Sequence, residues 1–360
     1  MQIISFKSKI VIQSDIGSQL LSVINELKPG KIFMLTDENT HQYCLPHFKK
    51  LMQQEKVQLM GIGQGESAKT IDTVKEIWNF LQEQGADRES LLINLGGGML
   101  LDVGGFAAST FKRGIKFINV PTTLLSMVDA SVGGKTGINL NDYKNHIGTF
   151  SLPEYVLISP VFIRTLDKRQ IYAGWAEMLK HGLIHSEDHL LKLLDVRPEE
   201  AEEHNLTDLI YESVEIKNHF VQEDPYESNL RKVLNFGHTI GHAFESLAFS
   251  SDQSLFHGEA VANGLICELY LSAKSQHPKE HIIKQVTDYI AGNYNKVKIS
   301  ASDLDLAYRF LLQDKKNRGD RINFTLLRDI GEPLTDQYLD KPDIEEALNY
   351  YIERYSSNAG

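Results

Sequence analysis

Cysteine is nearly absent: Cys44 and Cys267 are the only two in 360 residues. That excludes a disulfide framework and suits a reducing, cytoplasmic setting. Long apolar runs are absent too. A membrane helix needs roughly 18 or more uninterrupted apolar residues, but the most apolar window, LLINLGGGMLLDVGGFAAS, is broken by Asp102 and five glycines. The opening residues, MQIISFKSKIVIQS, alternate as a strand does and lack the apolar core and cleavage site of a signal peptide. An excess of positive charge is the third absence. Lys and Arg total 37 against 48 Asp and Glu, a net charge of −11, which argues against nucleic acid or anionic membrane as a partner. What is present is a chain 42% apolar, long enough for two domains with real cores.

The two parts of the chain read differently. KIFMLTDEN, SLLINLGGG, FINVPTT and YVLISP are short apolar strands ending in polar, glycine or proline residues, and TIDTVKEIWNFLQEQGAD between them has helical periodicity. Alternating strands and helices predict a parallel sheet covered on both faces. Beyond about Arg164 the segments RQIYAGWAEMLKHGLI, LTDLIYESVEIKNHFVQ, GEAVANGLICELYLSA and PDIEEALNYYIERY read as helices. The expected architecture is an α/β domain over residues 1–160 with a dinucleotide-binding site, then an all-helical domain over 161–360. A cleft between two such domains is the default small-molecule site.

Five stretches carry chemistry. LINLGGGMLLD runs from a strand through Gly96, Gly97 and Gly98 into a helix, so a phosphate could approach backbone amides at a helix N-terminus. It departs from G-x-G-x-x-G, since Leu101 stands at the third glycine position. Asp37 in LTDEN can accept a ribose hydroxyl or cap the following helix. VDASVGGKTG ends like a P-loop, but Asp129 at its first position would repel a phosphate, so Asp129 and Lys135 fit a hydroxylated, anionic substrate better. NFGHTIGHAF and FHGEAVANG place His238, His242 and His257 within 20 residues, each beside a glycine. Thr239 rules out the H-E-x-x-H device. Two of these histidines with a carboxylate, Glu177 or Glu259, would satisfy an open zinc site; spacing alone does not choose which two. Basic residues gather beside the same motifs, including Lys144, Lys180, Lys217, Arg231 and the run Lys315, Lys316, Arg318.

GGGMLLDVGGFAASTFKRGI, VPTTLLSMVDASVGGKTGIN, KNHIGTF, AGWAEMLKHGLI, LNFGHTIGHAFE and HGEAVANG together resemble the 3-dehydroquinate synthases, densely from about residue 62 to 266. The wider fold of that family is shared with glycerol dehydrogenases and iron-dependent alcohol dehydrogenases. The resemblance implies conversion of 3-deoxy-D-arabino-heptulosonate 7-phosphate to 3-dehydroquinate and phosphate in the shikimate pathway, with NAD and a divalent metal, zinc or else cobalt. It implies metal ligands Glu177, His238 and His257, with His242 assigned instead to the substrate phosphate beside Asn145, Lys180 and one of Lys315 or Lys316. Asp129 and Lys217 match residues around the reacting hydroxyls; Lys135, Arg231 and Asn235 match those near the carboxylate. NAD residues by the same match are Asp37, Glu66, Lys69, Gly97, Gly98, Asp102, Thr122, Thr123, Lys144 and Thr165. Arg113 matches an arginine lent to the neighbouring subunit, which implies a homodimer. Leu101, Gln64 and Asp167 stand where the family usually has glycine, aspartate and proline. A metal-dependent polyol dehydrogenase and a non-catalytic NAD or metal sensor are the rival readings. The first leaves Lys135, Lys180 and Arg231 without an anion; the second needs a decayed site.

Overall fold

The computed structural model describes residues 1–141, 143–251, 253–276, 278–312, 317 and 319–356. Lys315, Lys316 and Arg318 lie outside the described residues. The chain divides into two compact units, one of Met1–Leu166 with Glu202–Gln222, the other of Asp167–Ala201 with the chain from Glu223 onward. One helical segment, Glu202–Gln222, groups with the first unit.

The first unit is built on strands β1 (Gln2–Ser5), β2 (Ser8–Ile12), β3 (Ile32–Thr36), β4 (Val57–Gly61), β5 (Leu91–Gly96) and β6 (Lys116–Pro121). A hairpin, β7 (Lys135–Leu140) with β8 (Tyr143–Phe150), precedes β9 (Tyr155–Ile158). The main sheet has the order β1-β2-β9-β6-β5-β3-β4. Only the β1–β2 pair is antiparallel; the other neighbours are parallel. Every residue of β3 and of β5 is buried, which is why both read as unbroken apolar runs rather than alternations. Helix α1 (Gly98–Thr110) follows β5 directly, with Gly97 as its N-cap and no side-chain cap. Leu101 and Val103 on α1 are buried in the core beside Val74, Ile77 and Phe117. A leucine at position 101 is therefore a core residue.

The second unit begins with α2 (Lys168–His185), capped by Asp167, whose carboxylate accepts from the Gln170 amide at 2.8 Å. A capping carboxylate at the start of a helix offsets unpaired amides and the dipole, so Asp167, in place of proline, supplies this start by a different means. Helix α3 (Glu203–Glu223) is the segment that groups with the first unit. Back in the second unit, α4 (His238–Ser250) and α5 (His257–Gln276) pack closely together. Gly264 permits that approach, because a Cβ there would lie 2.2 Å from the Gly237 carbonyl oxygen. α5 is buried from Gly258 through Leu269, the pattern of a core helix without a polar face. The unit is helical as expected, with one addition: a hairpin of β10 (Ile322–Asp329) and β11 (Glu332–Leu339).

Candidate active site

In the first unit, four residues expected from the sequence meet in one network. The Lys69 ammonium donates to Asp102 at 2.6 Å and to the Asn145 side-chain oxygen at 2.5 Å. Asn139, which sequence reasoning did not single out, joins the chain. Its oxygen accepts from the Asn145 amide at 2.9 Å, and its nitrogen donates to Glu66 at 2.7 Å. Asn145 holds φ +57°, a left-handed conformation that asparagine tolerates better than most residues. Burial pushes the Asp102 carboxyl up to about 6, against the pull of Lys69. The network brings Asn145, expected near the substrate phosphate, together with Glu66, Lys69 and Asp102, expected near NAD.

The other first-unit residues cluster around strand ends. Asp37 caps a short helix, accepting from the Thr40 amide at 2.8 Å, so the capping alternative is observed. Thr123 follows β6 and donates to Ser126 at 2.9 Å; Thr122 beside it is buried. Thr165 donates to the Phe162 carbonyl at 2.7 Å. Gln64 is exposed and touches Glu38 at 3.5 Å. Asp129 sits in a π-helical turn, Ser126–Ala130. Lys217 on α3 ion-pairs with its carboxylate and also donates to its carbonyl at 2.6 Å. Two residues 88 positions apart are thereby joined. Lys135 opens β7 and Lys144 lies on β8, both exposed.

In the second unit the candidate metal ligands come together. Glu177 on α2 is fully buried. Its Oε1 lies 3.4 Å from His238 Nε2 and 3.6 Å from His257 Nε2. His238 and His257 are the first residues of α4 and α5, so two helix starts aim their imidazoles at one carboxylate. His238 Nδ1 lies 3.2 Å from the Phe236 carbonyl, which holds the proton on Nδ1 and leaves Nε2 as the donor atom for a metal. Neither Glu177 oxygen has a hydrogen bond of ordinary geometry; Lys180, itself buried, sits against Oε2 as a charge partner. A buried carboxylate with two orphaned oxygens and two imidazole nitrogens is the donor set of an open zinc site. A second group shares His257: His242, Glu245 and His257 could also hold a metal, with Glu245 3.4 Å from His257 Nδ1. Glu259, the other carboxylate weighed from the sequence, is engaged elsewhere, with Arg169 at 2.6 Å and the Phe256 amide at 2.9 Å.

The electrostatics divide the histidines. Burial drives His238 down to about 3. Burial also opposes charge on His257, but the facing carboxylates of Glu177 and Glu245 outweigh it and raise the group to about 10. Desolvation works against the Glu177 carboxylate as well, yet Lys180 and the two histidines hold it well below the usual carboxylate range. His242 is exposed, one turn along from His238, with ring centroids 5.5 Å apart. Arg231 and Asn235 lie on a 3-10 turn, Leu230–Asn235. An α-helix would put both on one face; three residues per turn rotates them apart by about 120°. Arg231 is buried and donates to the Pro225 carbonyl at 2.8 Å, while Asn235 donates to Glu227 at 3.1 Å.

The family model described as 3-dehydroquinate synthase N-terminal matches residues 59–173, and 3-dehydroquinate synthase C-terminal matches 174–317. The chain is 44% identical to a 3-dehydroquinate synthase of Parabacteroides distasonis, over 97% of this chain and 99% of that one. It is 36% identical to the 3-dehydroquinate synthase of Ruminiclostridium cellulolyticum, over 90% of each. Among solved structures, 2-epi-5-epi-valiolone synthase from Streptomyces hygroscopicus, with NAD+ and Zn2+ bound, aligns with a TM-score of 0.84 at 27% identity, covering 96% of each chain. 2-Deoxy-scyllo-inosose synthase, complexed with carbaglucose-6-phosphate, NAD+ and Co2+, aligns with a TM-score of 0.83 at 25% identity, over 97% and 99% of the two chains.

Proposed function

The chain belongs to the 3-dehydroquinate synthase family, and from that premise we propose how its own residues convert 3-deoxy-D-arabino-heptulosonate 7-phosphate to 3-dehydroquinate and phosphate. The single observation that carries the proposal is the meeting of Glu177, His238 and His257 around two orphaned, fully buried carboxylate oxygens. These three would hold a divalent metal, zinc or cobalt as in the two solved relatives. Asp37, Glu66, Lys69, Gly97, Gly98, Asp102, Thr122, Thr123, Lys144 and Thr165 would hold NAD. Bound there, the metal supplies Lewis-acid polarisation and NAD a hydride acceptor that is later restored.

The chain's own contribution is orientation and charge. Asp129 and Lys217 are positioned by each other, and we assign them to the reacting hydroxyls. Lys135, Arg231 and Asn235 hold the substrate carboxylate. Asn145, Lys180, His242 and one of Lys315 or Lys316 hold the phosphate that leaves by β-elimination. The first unit is assigned to NAD binding and the second to metal and substrate binding, with Asp129, Lys217, Lys135 and Asn145 as first-unit contributions to substrate. Among the described residues no helix is long and apolar enough to cross a membrane; we place the chain in the cytoplasm on its cysteine usage.

The decisive assay is phosphate release from the heptulosonate phosphate with simultaneous absorbance of NADH. Phosphate should appear without net NADH and should stop when a chelator removes the metal. Net NADH without phosphate would favour the polyol dehydrogenase reading.

We further propose a homodimer to which Arg113 contributes in trans. Lys112, Arg113 and Gly114 take φ of +48°, +71° and +112° in succession. Left-handed backbone costs non-glycine residues roughly 1–2 kcal/mol each, and such strain concentrates where a side chain must be aimed. Arg113→Ala and Lys135→Ala are each expected to be inactive alone. Mixed under conditions that exchange subunits, they should regain activity, up to about a quarter of wild type if half the dimers are hybrids with one intact site each. No recovery under demonstrated exchange counts against the dimer role.

A further inference from the structure

Helix α4, which starts at His238, has no capping side chain of its own. Position 237 cannot supply one. Gly237 holds φ +81°, and a Cβ there would lie 2.6 Å from Leu265 Cδ2. The first amides of a helix still need acceptors when they are buried. Here the acceptor comes from another helix. Glu268 on α5 is fully buried; one oxygen accepts from the Gly237 amide at 2.6 Å, the other from the Ile240 amide at 3.0 Å. The Thr239 amide is a third donor. Among the described residues no cation pairs with this carboxylate; its partners are the start of a helix, where amides and dipole favour a negative group.

The placement links this cap to the histidines. Ala260, Gly264 and Glu268 recur every four residues, one stripe along α5 that faces α4. His257 begins the same helix, eleven residues before Glu268 and about 16 Å away at 1.5 Å per residue. α5 therefore presents His257 at its start and, three turns on, fixes the start of the helix that presents His238. Rotation or fraying of the first turn of α4 would move His238 directly. The capping oxygens oppose both motions, and the close contact at Gly264 leaves α4 little room to slide.

We infer that Glu268 is a positioning residue for the metal centre: by capping α4 from α5 it sets the orientation of His238 relative to His257. This rests on the assignment of Glu177, His238 and His257 as ligands. Its partners all donate, so the ionised carboxylate is the form the cap uses, although burial pushes the group up to about 8. Glutamine keeps the size and one acceptor; leucine keeps the volume and loses both. Loss of an outer partner of a metal ligand typically weakens metal affinity about 10–100-fold.

The test measures zinc affinity of wild type, Glu268→Gln, Glu268→Leu and His238→Ala by competition with a chromophoric chelator, well below each melting temperature. Glu268→Leu should bind zinc at least about tenfold more weakly than wild type, and Glu268→Gln should lie between them. At saturating zinc, kcat of both should return to within about threefold of wild type. A purely structural cap would lower melting temperature and leave the zinc affinity of the folded protein unchanged, and that result would overturn the inference. If Glu268→Leu does not fold, Glu268→Gln decides alone: wild-type affinity overturns, weakened affinity supports. If His238→Ala binds zinc as wild type does, the ligand assignment fails and this inference with it. If His238→Ala loses zinc while the Glu268 variants keep it, the inference alone fails.

Discussion

Glu177→Gln should strip the bound metal and lower turnover by about three orders of magnitude, while His242→Ala should keep its metal. The carboxylate is the only anionic member of the proposed ligand set, and it is fully buried. Its amide isostere keeps the volume but offers a weak neutral oxygen in place of a charge. Lewis-acid stabilisation of several kcal/mol is lost with the ion, and each 1.4 kcal/mol is tenfold in rate. Stability should fall as well. Lys180 is buried against Glu177, and removing one member of a buried ion pair typically costs about 3–5 kcal/mol, because the remaining charge is left uncompensated. Metal content after gel filtration separates this outcome from unfolding, provided circular dichroism shows native helix.

The comparison with His242→Ala matters because two candidate donor groups overlap at His257. If Glu177, His238 and His257 hold the metal, His242→Ala loses phosphate binding, with a raised KM, and retains stoichiometric metal. If His242, Glu245 and His257 hold it, the pattern inverts: metal is lost from His242→Ala and retained in Glu177→Gln. Burial favours the first group, since Glu177 is fully buried, whereas water solvates the exposed His242 imidazole and competes with a metal for it. A metal content near zero in His242→Ala would move the site.

Strands β3, β5, β6 and β9 were legible because a sheet buried on both faces produces unbroken apolar runs that end abruptly at polar residues, glycine or proline. The three histidines stood out because each stands beside a glycine, His238 and His257 at helix starts and His242 one turn into α4. Other features left no local trace. The β7–β8 hairpin carries no strand signal of its own, since Gly133, Gly134 and Gly137 dominate a segment whose pairing partners lie beyond a turn. The β10–β11 hairpin sits among helical segments, and its pairing involves residues up to 17 apart. Asn139 and Glu268 are ordinary residues in their own segments. Asn139 acquires its place by bridging Asn145 and Glu66; Glu268 acquires its place from amides 28 and 31 residues earlier. The grouping of α3 with the first unit is of the same kind. It brings Lys217 to Asp129 through packing that no periodicity within either segment records.

Arg231→Ala should lower kcat/KM at least about 30-fold, with metal content and fold unchanged. In sequence Arg231 stands four residues before Asn235, and in the structure both belong to one 3-10 turn. The guanidinium is buried and partly oriented by its bond to the Pro225 carbonyl. The Arg231 amide is held by Asp224 at 3.1 Å. Loop and turn therefore fix the side chain before substrate arrives, which lowers the entropy cost of binding. A guanidinium meets a carboxylate through two parallel hydrogen bonds, a geometry that lysine cannot reproduce. Losing one partner of such a desolvated pair costs about 2–5 kcal/mol, or roughly 30-fold to several thousand-fold. Lys135, assigned to the same carboxylate, keeps the expectation near the lower bound. A surface arginine with no binding role would change efficiency less than about threefold. Arg231→Lys should recover little, because charge without the fork does not restore the pairing. Selectivity separates the binding role from support of the loop. Relative to wild type, Arg231→Ala should lose discrimination against sedoheptulose 7-phosphate, which lacks the carboxylate, whereas a loosened loop would lower both substrates together. Unchanged efficiency, or a fall shared equally by both substrates, would remove Arg231 from the carboxylate site.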